Sequence, residues 1–239
     1  MLNAWSYWED SPSTKKSEYL DLCFELIEKH CSRDFNIILL NKYTIYDYLP
    51  DLPDAVMNMK KLAHKADYIR YELLYRYGGM WIDNDTIVMQ PLTEILGNLD
   101  KNKFVSWTRN EGEPTPAFLV SVPKHPMLLS HVQESRKLVS SGNYRPSIWA
   151  GLGGDILFKY SKKYDWYQYG PERFAPVRAK DKKKFFSIDI NENILPKDAL
   201  TVCLFNNGFP DWFKSMSKEE ILQKDFLISK FFRRSLEEL

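Results

Sequence analysis

Only three cysteines, Cys23, Cys31 and Cys203, occur in the 239-residue chain, and none stands in a Cys-x-x-Cys pair. An odd, scattered set excludes a disulfide framework and a cysteine-based zinc site, and fits plain thiols in a reducing compartment. No apolar run approaches the roughly 18 residues of a membrane span. The opening "MLNAWSYWED" also lacks a basic segment followed by an apolar stretch. Excess charge of one sign is missing too: 33 Lys and Arg face 32 Asp and Glu. No global field therefore favours nucleic acid, and specificity rests on local sites. There is no internal repeat, low-complexity tract or clear linker. The expectation is a soluble cytoplasmic protein with no transmembrane segment and no nucleic-acid partner.

What the chain does have is core material, 44% hydrophobic and 15% aromatic residues, enough for a single domain over residues 1–239. "LNAWSYW" reads as a first, central strand, and "EDSPST" as a loop and helix start. Apolar residues at helical spacing predict a helix from Lys15 to His30, and "FNIILL" (35–40) reads as a buried strand. Short helical or turn segments follow around Pro50 and Pro53, then a strong helix that Gly78 and Gly79 terminate, then a strand at 80–83. After Pro91 the pattern is mixed: strands at "FVSWTR" and "AFLVSV", a helix at 126–140, and another over "GGDILFKYSKKY". The alternation argues for an α/β fold, more irregular in its later half.

The chemistry centres on "GGMWIDNDTIVMQPL" (78–92), where Asp83 and Asp85 end a short apolar run. Asp and Asn are poor strand formers, and a carboxylate at a buried sheet end is costly unless something positive sits against it. In an extended segment Asp83 and Asp85 point one way and Asn84 the other. Two carboxylates on one side suit Mg²⁺ or Mn²⁺, whose shells are completed by waters and substrate phosphates. One helix earlier, Asp67 and Arg70 share a face, either as donor-binding groups or as a surface ion pair of little energetic weight.

"ADYIRYELLYRYGGMWIDNDTIVMQPL" resembles the signature of the Asp-x-Asp sugar transferases. These include capsular polysaccharide synthesis proteins, yeast-type mannosyltransferases and the glucosylating domains of large clostridial toxins; small algal-virus sugar transferases are also similar. The resemblance implies a GT-A-type nucleotide-diphospho-sugar transferase fold, with a single mixed central sheet flanked by helices. It also implies a hexosyl- or deoxyhexosyltransferase that uses a UDP-sugar donor and a glycan or glycoprotein acceptor, in a host's cytoplasm if the source is viral. Residues 1–92 become the nucleotide-sugar and metal half, and 93–239 the acceptor half. Asp67 and Arg70 become catalytic groups that contact the nucleotide sugar, Asp83 and Asp85 ribose and metal contacts, and Asn84 a further donor-binding residue. "NAWSYWED" resembles the family's opening strand, which implicates Ala4, Trp5 and Ser6 in cradling uracil. "GLGGDILFKY" is similar to the family's Gly-Pro-x-x-Leu-Thr helix start, which adds Asp155 to the catalytic set; helix capping is the structural alternative.

One departure stands out. Relatives complete the metal shell with a His near the C-terminus, whereas no His here lies beyond His131, and "FNNGFPDWF" offers Asn206, Asn207 or Asp211 instead. His30, His64, His125 and His131 are scattered and carry no catalytic assignment. No carboxylate is an obvious covalent nucleophile, which fits retention of configuration with the leaving phosphate taking the acceptor proton. "RNEGEPTP" and "YDWYQYGPERF", with Glu172 and Arg173, are candidate acceptor walls. The terminal "KDFLISKFFRRSLEEL" pairs apolar with basic residues, for peripheral membrane contact or for covering the protein's own core. Two other classes compete: a metal-dependent phosphohydrolase, which needs a second metal cluster or a water-activating base, and a non-catalytic sugar-binding module, which leaves the Asp pair without a purpose.

Overall fold

The computed structural model describes residues 1–10, 16–109 and 112–237. Ser11 to Thr14 of the first loop, the helix start at Lys15, Asn110 and Glu111 of "RNEGEPTP" and the last two residues of the terminal segment lie outside the described residues. The strands are β1 (Leu2–Tyr7), β2 (Phe35–Leu40), β3 (Gly79–Ile82), β4 (Thr86–Val88), β5 (Phe104–Thr108), β6 (Pro114–Ser121), β7 (Tyr167–Tyr169) and β8 (Thr201–Cys203). The helices are α1 (Glu18–Cys31), α2 (Asp54–Met57), α3 (Leu62–Tyr77), α4 (Thr93–Asn102), α5 (Pro126–Ser140), α6 (Gly154–Ser161), α7 (Asp211–Lys214), α8 (Lys218–Gln223) and α9 (Leu227–Glu237), with several short 3₁₀ turns. The chain forms two compact units. The first is Met1–Glu9, Phe35–Asp83 and Glu94–Tyr169; the second is Asp10–Asp34, Asn84–Thr93 and Gly170–Leu239. Both units draw on residues from either side of position 92.

The first unit holds a mixed six-stranded sheet in the order β2-β1-β3-β6-β5-β7. β1 pairs in parallel with β2 and β3, and β6 runs antiparallel to β3 and β5. β1 is thus an interior strand, as its apolar, aromatic sequence predicts. β2 is not the buried strand expected from "FNIILL": it is the sheet edge, and Asn36 to Leu39 are exposed or half-exposed. A continuous apolar run does not distinguish an edge strand from a central one.

α3 packs on the sheet and against α5, so residues His64 to Leu74 are buried almost all round. It ends where Gly78 (φ 65°) donates its N–H to the Leu74 carbonyl at 2.9 Å. Gly79 (φ 93°) starts β3 so close to β1 that a Cβ there would lie 2.1 Å from the Asn3 carbonyl oxygen. Only glycine satisfies both demands. Trp5, Trp81, Tyr71 and Phe104 are among the buried side chains of the main core.

The second unit contains the short antiparallel β4–β8 ladder, with α1 and α9 packed on β4. The α9 residues Leu227, Ile228, Phe231 and Phe232 are fully buried. The Ser235 hydroxyl donates to the Val88 carbonyl at 2.6 Å, and His30 Nε2 lies 3.1 Å from both Ser235 oxygens. The apolar face of α9 therefore covers this unit's own core and is not available for the membrane contact considered above. Cys23, Cys31 and Cys203 are buried, and burial pushes the Cys31 thiol up to about 12. Among the described residues, no helix is long and apolar enough to cross a membrane.

Candidate active site

In the first unit α3 delivers Asp67 and Arg70 one turn apart, and β3 delivers Asp83 just beyond its last residue. Arg70 Nη2 lies 3.2 Å from Asp67 Oδ1, and Nη1 lies 3.2 Å from Asp83 Oδ1. The guanidinium also donates to the carbonyls of Ala66 and Pro116, and its carbon lies 4.8 Å from the Trp81 ring centroid. Trp81 Nε1 donates to Asp83 Oδ1 at 2.7 Å. The Asp67 and Arg70 residues are only 8% and 5% exposed, so this is not the exposed helical ion pair weighed as the alternative; the Asp83 side chain keeps 29% exposure. Burial pushes the Asp67 carboxyl up to about 7 against the pull of Arg70, with the charges of Asp83 and Asp155 adding to the rise. Burial also raises Asp83, opposed by Arg70 and by the Trp81 N–H.

The wall behind Asp67 is backbone. A Cβ on Gly153 would lie 2.5 Å from the Asp67 carboxyl carbon, so the carboxylate rests directly on this glycine. The Gly153 carbonyl lies 3.3 Å from His131 Nε2, whose fully buried ring stacks on Tyr71 with centroids 3.4 Å apart. Burial holds His131 far below its ordinary range, near 3, so the neutral ring supplies an N–H donor to that carbonyl. Replacing Gly153 with Ala is expected to cost about 1–3 kcal/mol through overpacking, seen as a lower Tm. Gly97→Ala in α4, where an added Cβ meets nothing within 4 Å, is the control and gains roughly 0.5–1 kcal/mol. Equal Tm changes in the two variants would remove Gly153 from this role.

In the second unit the Asp85 carboxylate accepts the Asn206 backbone N–H at 2.7 Å, and the Asp85 carbonyl accepts Leu204 N–H at 2.9 Å. Phe205, between those donors, adopts the left-handed conformation (φ 60°, ψ 54°), a strain that a non-glycine residue carries only when its surroundings enforce it. Tyr19 donates its hydroxyl to the Asn206 side-chain oxygen. Among the described residues, Asn206 is the third-ligand candidate hydrogen-bonded to Asp85; Asn207 and Asp211 are exposed.

Several expectations change. Asn84 and Asp85 form a bend between β3 and β4 rather than an extended segment, so strand alternation does not carry from Asp83 to Asp85. Asn84 is 5% exposed, with neither side-chain amide atom hydrogen-bonded. The Trp5 ring is fully buried, donates to the Gly78 carbonyl and packs on Tyr48, so it cannot stack on a base; Ala4 and Ser6 are also buried within the paired β1. Both faces of an interior strand are covered, which removes these side chains from solvent. Asp155 is exposed inside the first turn of α6, and the N-cap is Gly153, so helix capping is not its role. The sequence reading missed Trp81, Gly153 and His131. Trp81 alone left a signal, the period-two spacing to Asp83. Among the described residues no group of three His, Cys, Asp or Glu side chains is arranged for a metal.

Comparison with known proteins places this geometry. A 54-residue stretch, 23% of this chain, is 37% identical to the initiation-specific alpha-1,6-mannosyltransferase of Candida albicans, of which it spans only 14%. The fold is similar to that of the glycosyltransferase GlyE of Streptococcus pneumoniae, with a TM-score of 0.56, 14% identity, and coverage of 99% of this chain and 61% of that one. It is also similar to a glycosyltransferase involved in the glycosylation of the major capsid of PBCV-1, with a TM-score of 0.52, 15% identity, and coverage of 89% and 96%. The fold is the GT-A type, a mixed sheet flanked by helices. The family described as capsular polysaccharide synthesis protein matches residues 2–168, well over half of the chain, and the protein belongs to that family.

Proposed function

We propose that the protein is a metal-dependent, retaining glycosyltransferase that moves a hexosyl or deoxyhexosyl unit from a UDP-sugar to a hydroxyl of a glycan or glycoprotein. The observation that carries this reading is the Asp67–Arg70–Asp83 chain: a buried cation between a desolvated carboxylate and a partly exposed one. Asp83 and Asp85 are each half-exposed and each offers a hard anionic oxygen of the kind that Mn²⁺ or Mg²⁺ takes, with waters and a diphosphate completing its shell. When bound, the cation would neutralise charge on the departing diphosphate.

The chain's own groups account for the rest. Arg70, fixed by carbonyls and by Trp81, offers a rigid, multi-donor guanidinium to diphosphate and donor-sugar oxygens. Asp67, when ionised, accepts hydrogen bonds from donor-sugar hydroxyls and so orients the ring. Retention and the UDP donor rest on the family resemblance, and retention also on the lack of an evident covalent nucleophile. UDP with Mn²⁺ is expected to raise the Tm, and GDP to do so far less, because a ligand stabilises in proportion to its binding to the native state. A panel of UDP-sugars then identifies the donor by UDP release. Equal protection by UDP and GDP would remove the uridine assignment, and protection by neither would overturn the transferase reading.

A further inference from the structure

Between α5 and α6 the chain "NYRPSIWAG" (143–151) crosses the surface of the first unit and leads straight to the Gly153 wall. Two large apolar side chains on it face solvent: Trp149 at 55% exposure and Ile148 at 43%. The segment is held by its own hydrogen bonds. Tyr144 N–H donates to the Leu138 carbonyl at 3.0 Å, and the Ala150 carbonyl accepts the N–H groups of both Gly153 (3.0 Å) and Asp155 (3.1 Å).

It is also braced on α3, one turn before Asp67. His64 is paired with the Tyr144 hydroxyl and lies edge-on to the Trp149 ring at 5.8 Å, and Lys61 donates to the Pro146 carbonyl at 3.0 Å. Tyr144 is close enough to Asp67 for that charge to help hold its hydroxyl above its ordinary range, after burial itself. The same segment's Asn143, Tyr144, Arg145, Ile148 and Gly151 line, with Leu138, a cavity of about 320 Å³, within the range of small-ligand sites.

An exposed indole with the Lys61 ammonium over one face, 5.7 Å from the ring centroid, leaves its other face for a ligand, and the cavity that the segment lines offers apolar Leu138 and Ile148 with the Asn143 amide and the Arg145 guanidinium; together these match the chemistry of a sugar ring. Such a ring has apolar C–H faces that pack on an aromatic and a rim of hydroxyls that hydrogen-bond. We propose that residues 143–151 form a saccharide subsite in which Trp149 and the adjoining cavity hold a ring of the acceptor glycan. This inference rests on the transferase reading for its role, and on the segment's geometry for the class of ligand. The expected walls "RNEGEPTP" and "YDWYQYGPERF" are not needed for it.

The test titrates α-linked mannotriose, α-linked maltotriose and β-linked galactotriose into the protein with UDP and Mn²⁺, by ligand-observed NMR. The variants are Trp149→Ala, Trp149→Phe and Trp212→Ala, the last removing an indole of similar exposure (50%) in the second unit. At least one trisaccharide is expected to bind the wild type, to weaken at least about tenfold with Trp149→Ala, and to stay within about threefold with Trp149→Phe and Trp212→Ala, since a phenyl ring keeps the stacking face. Binding of none of the three by the wild type, equal binding by Trp149→Ala, or equal loss in Trp212→Ala overturns the subsite. Tm protection by UDP in the same samples separates the two readings. Protection with no Trp149 effect removes only the subsite. A Trp149 effect without protection leaves a carbohydrate site and removes the transferase.

Discussion

Asp83→Asn and Asp85→Asn are each expected to lower sugar transfer at least about a hundredfold, roughly 2.7 kcal/mol of transition-state stabilisation, with a Tm within a few degrees of wild type. Either substitution keeps the side chain's size but removes an anionic oxygen. At position 83 the Asn oxygen still accepts the Trp81 N–H, and Arg70 keeps Asp67 as a counter-charge. At position 85 the Asn oxygen still accepts the Asn206 N–H. The local structure is therefore preserved while the cation's anionic donors are halved. Turnover that is unchanged in both variants, or that persists in excess chelator, would sink the metal assignment.

Arg70→Lys is expected to lower kcat/KM at least about tenfold with little loss of stability, because one ammonium cannot reproduce contacts to Ala66, Pro116, Asp67 and Asp83 along with the face on Trp81. Arg70→Ala goes further and costs about 3–5 kcal/mol of stability, since it strands the buried Asp67 carboxylate. Asp67→Asn also lowers kcat/KM about tenfold or more, and it carries a pH signature in the ligand-free protein. The Asp67 carboxyl is held at about 7, above its ordinary value near 4. Between those values the unfolded chain releases the proton while the folded one keeps it. Stability is therefore full below pH 4, falls as the pH rises to 7 by on the order of 4 kcal/mol at most, and is level above. Asn does not ionise, so the Tm of Asp67→Asn relative to wild type should climb from pH 5 to pH 8. A pH-independent difference, together with near-native kinetics in both Arg70→Lys and Asp67→Asn, would return the pair to a structural role.

Which parts were legible follows from the range of the forces involved. α3, the glycine pair and β3 were readable because helical spacing, a stop signal and a short apolar run act over a few residues. β4, β7 and β8, of three residues each, carry too little alternation to announce themselves, and the exposure of β2 depends on its having a single neighbour, Leu2 to Tyr7 of β1. At the site, the i,i+3 spacing of Asp67 and Arg70 was visible, but their burial was not. α3 is enclosed on nearly every face, so its polar residues sit where an amphipathic pattern would put solvent. The contact of Gly153 on Asp67 joins residues far apart in the chain, and no local pattern encodes it. Capping, the structural alternative for Asp155, does not apply because the helix begins one residue earlier, at Gly154, with Gly153 as its N-cap.

The three buried thiols all fall in the second unit, whereas of the seven tryptophans only Trp212 does; Trp5, Trp8, Trp81, Trp107, Trp149 and Trp166 belong to the first. The molecule thus carries two built-in reporters. Alkylation kinetics register opening of the second unit, because a buried thiol reacts only once it is exposed, and burial also holds Cys23 and Cys31 well above the ordinary thiol range; indole emission registers mainly the first. Coincident curves would mark a single cooperative transition, and separated ones the order in which the units melt, without a label or a substitution anywhere in the chain.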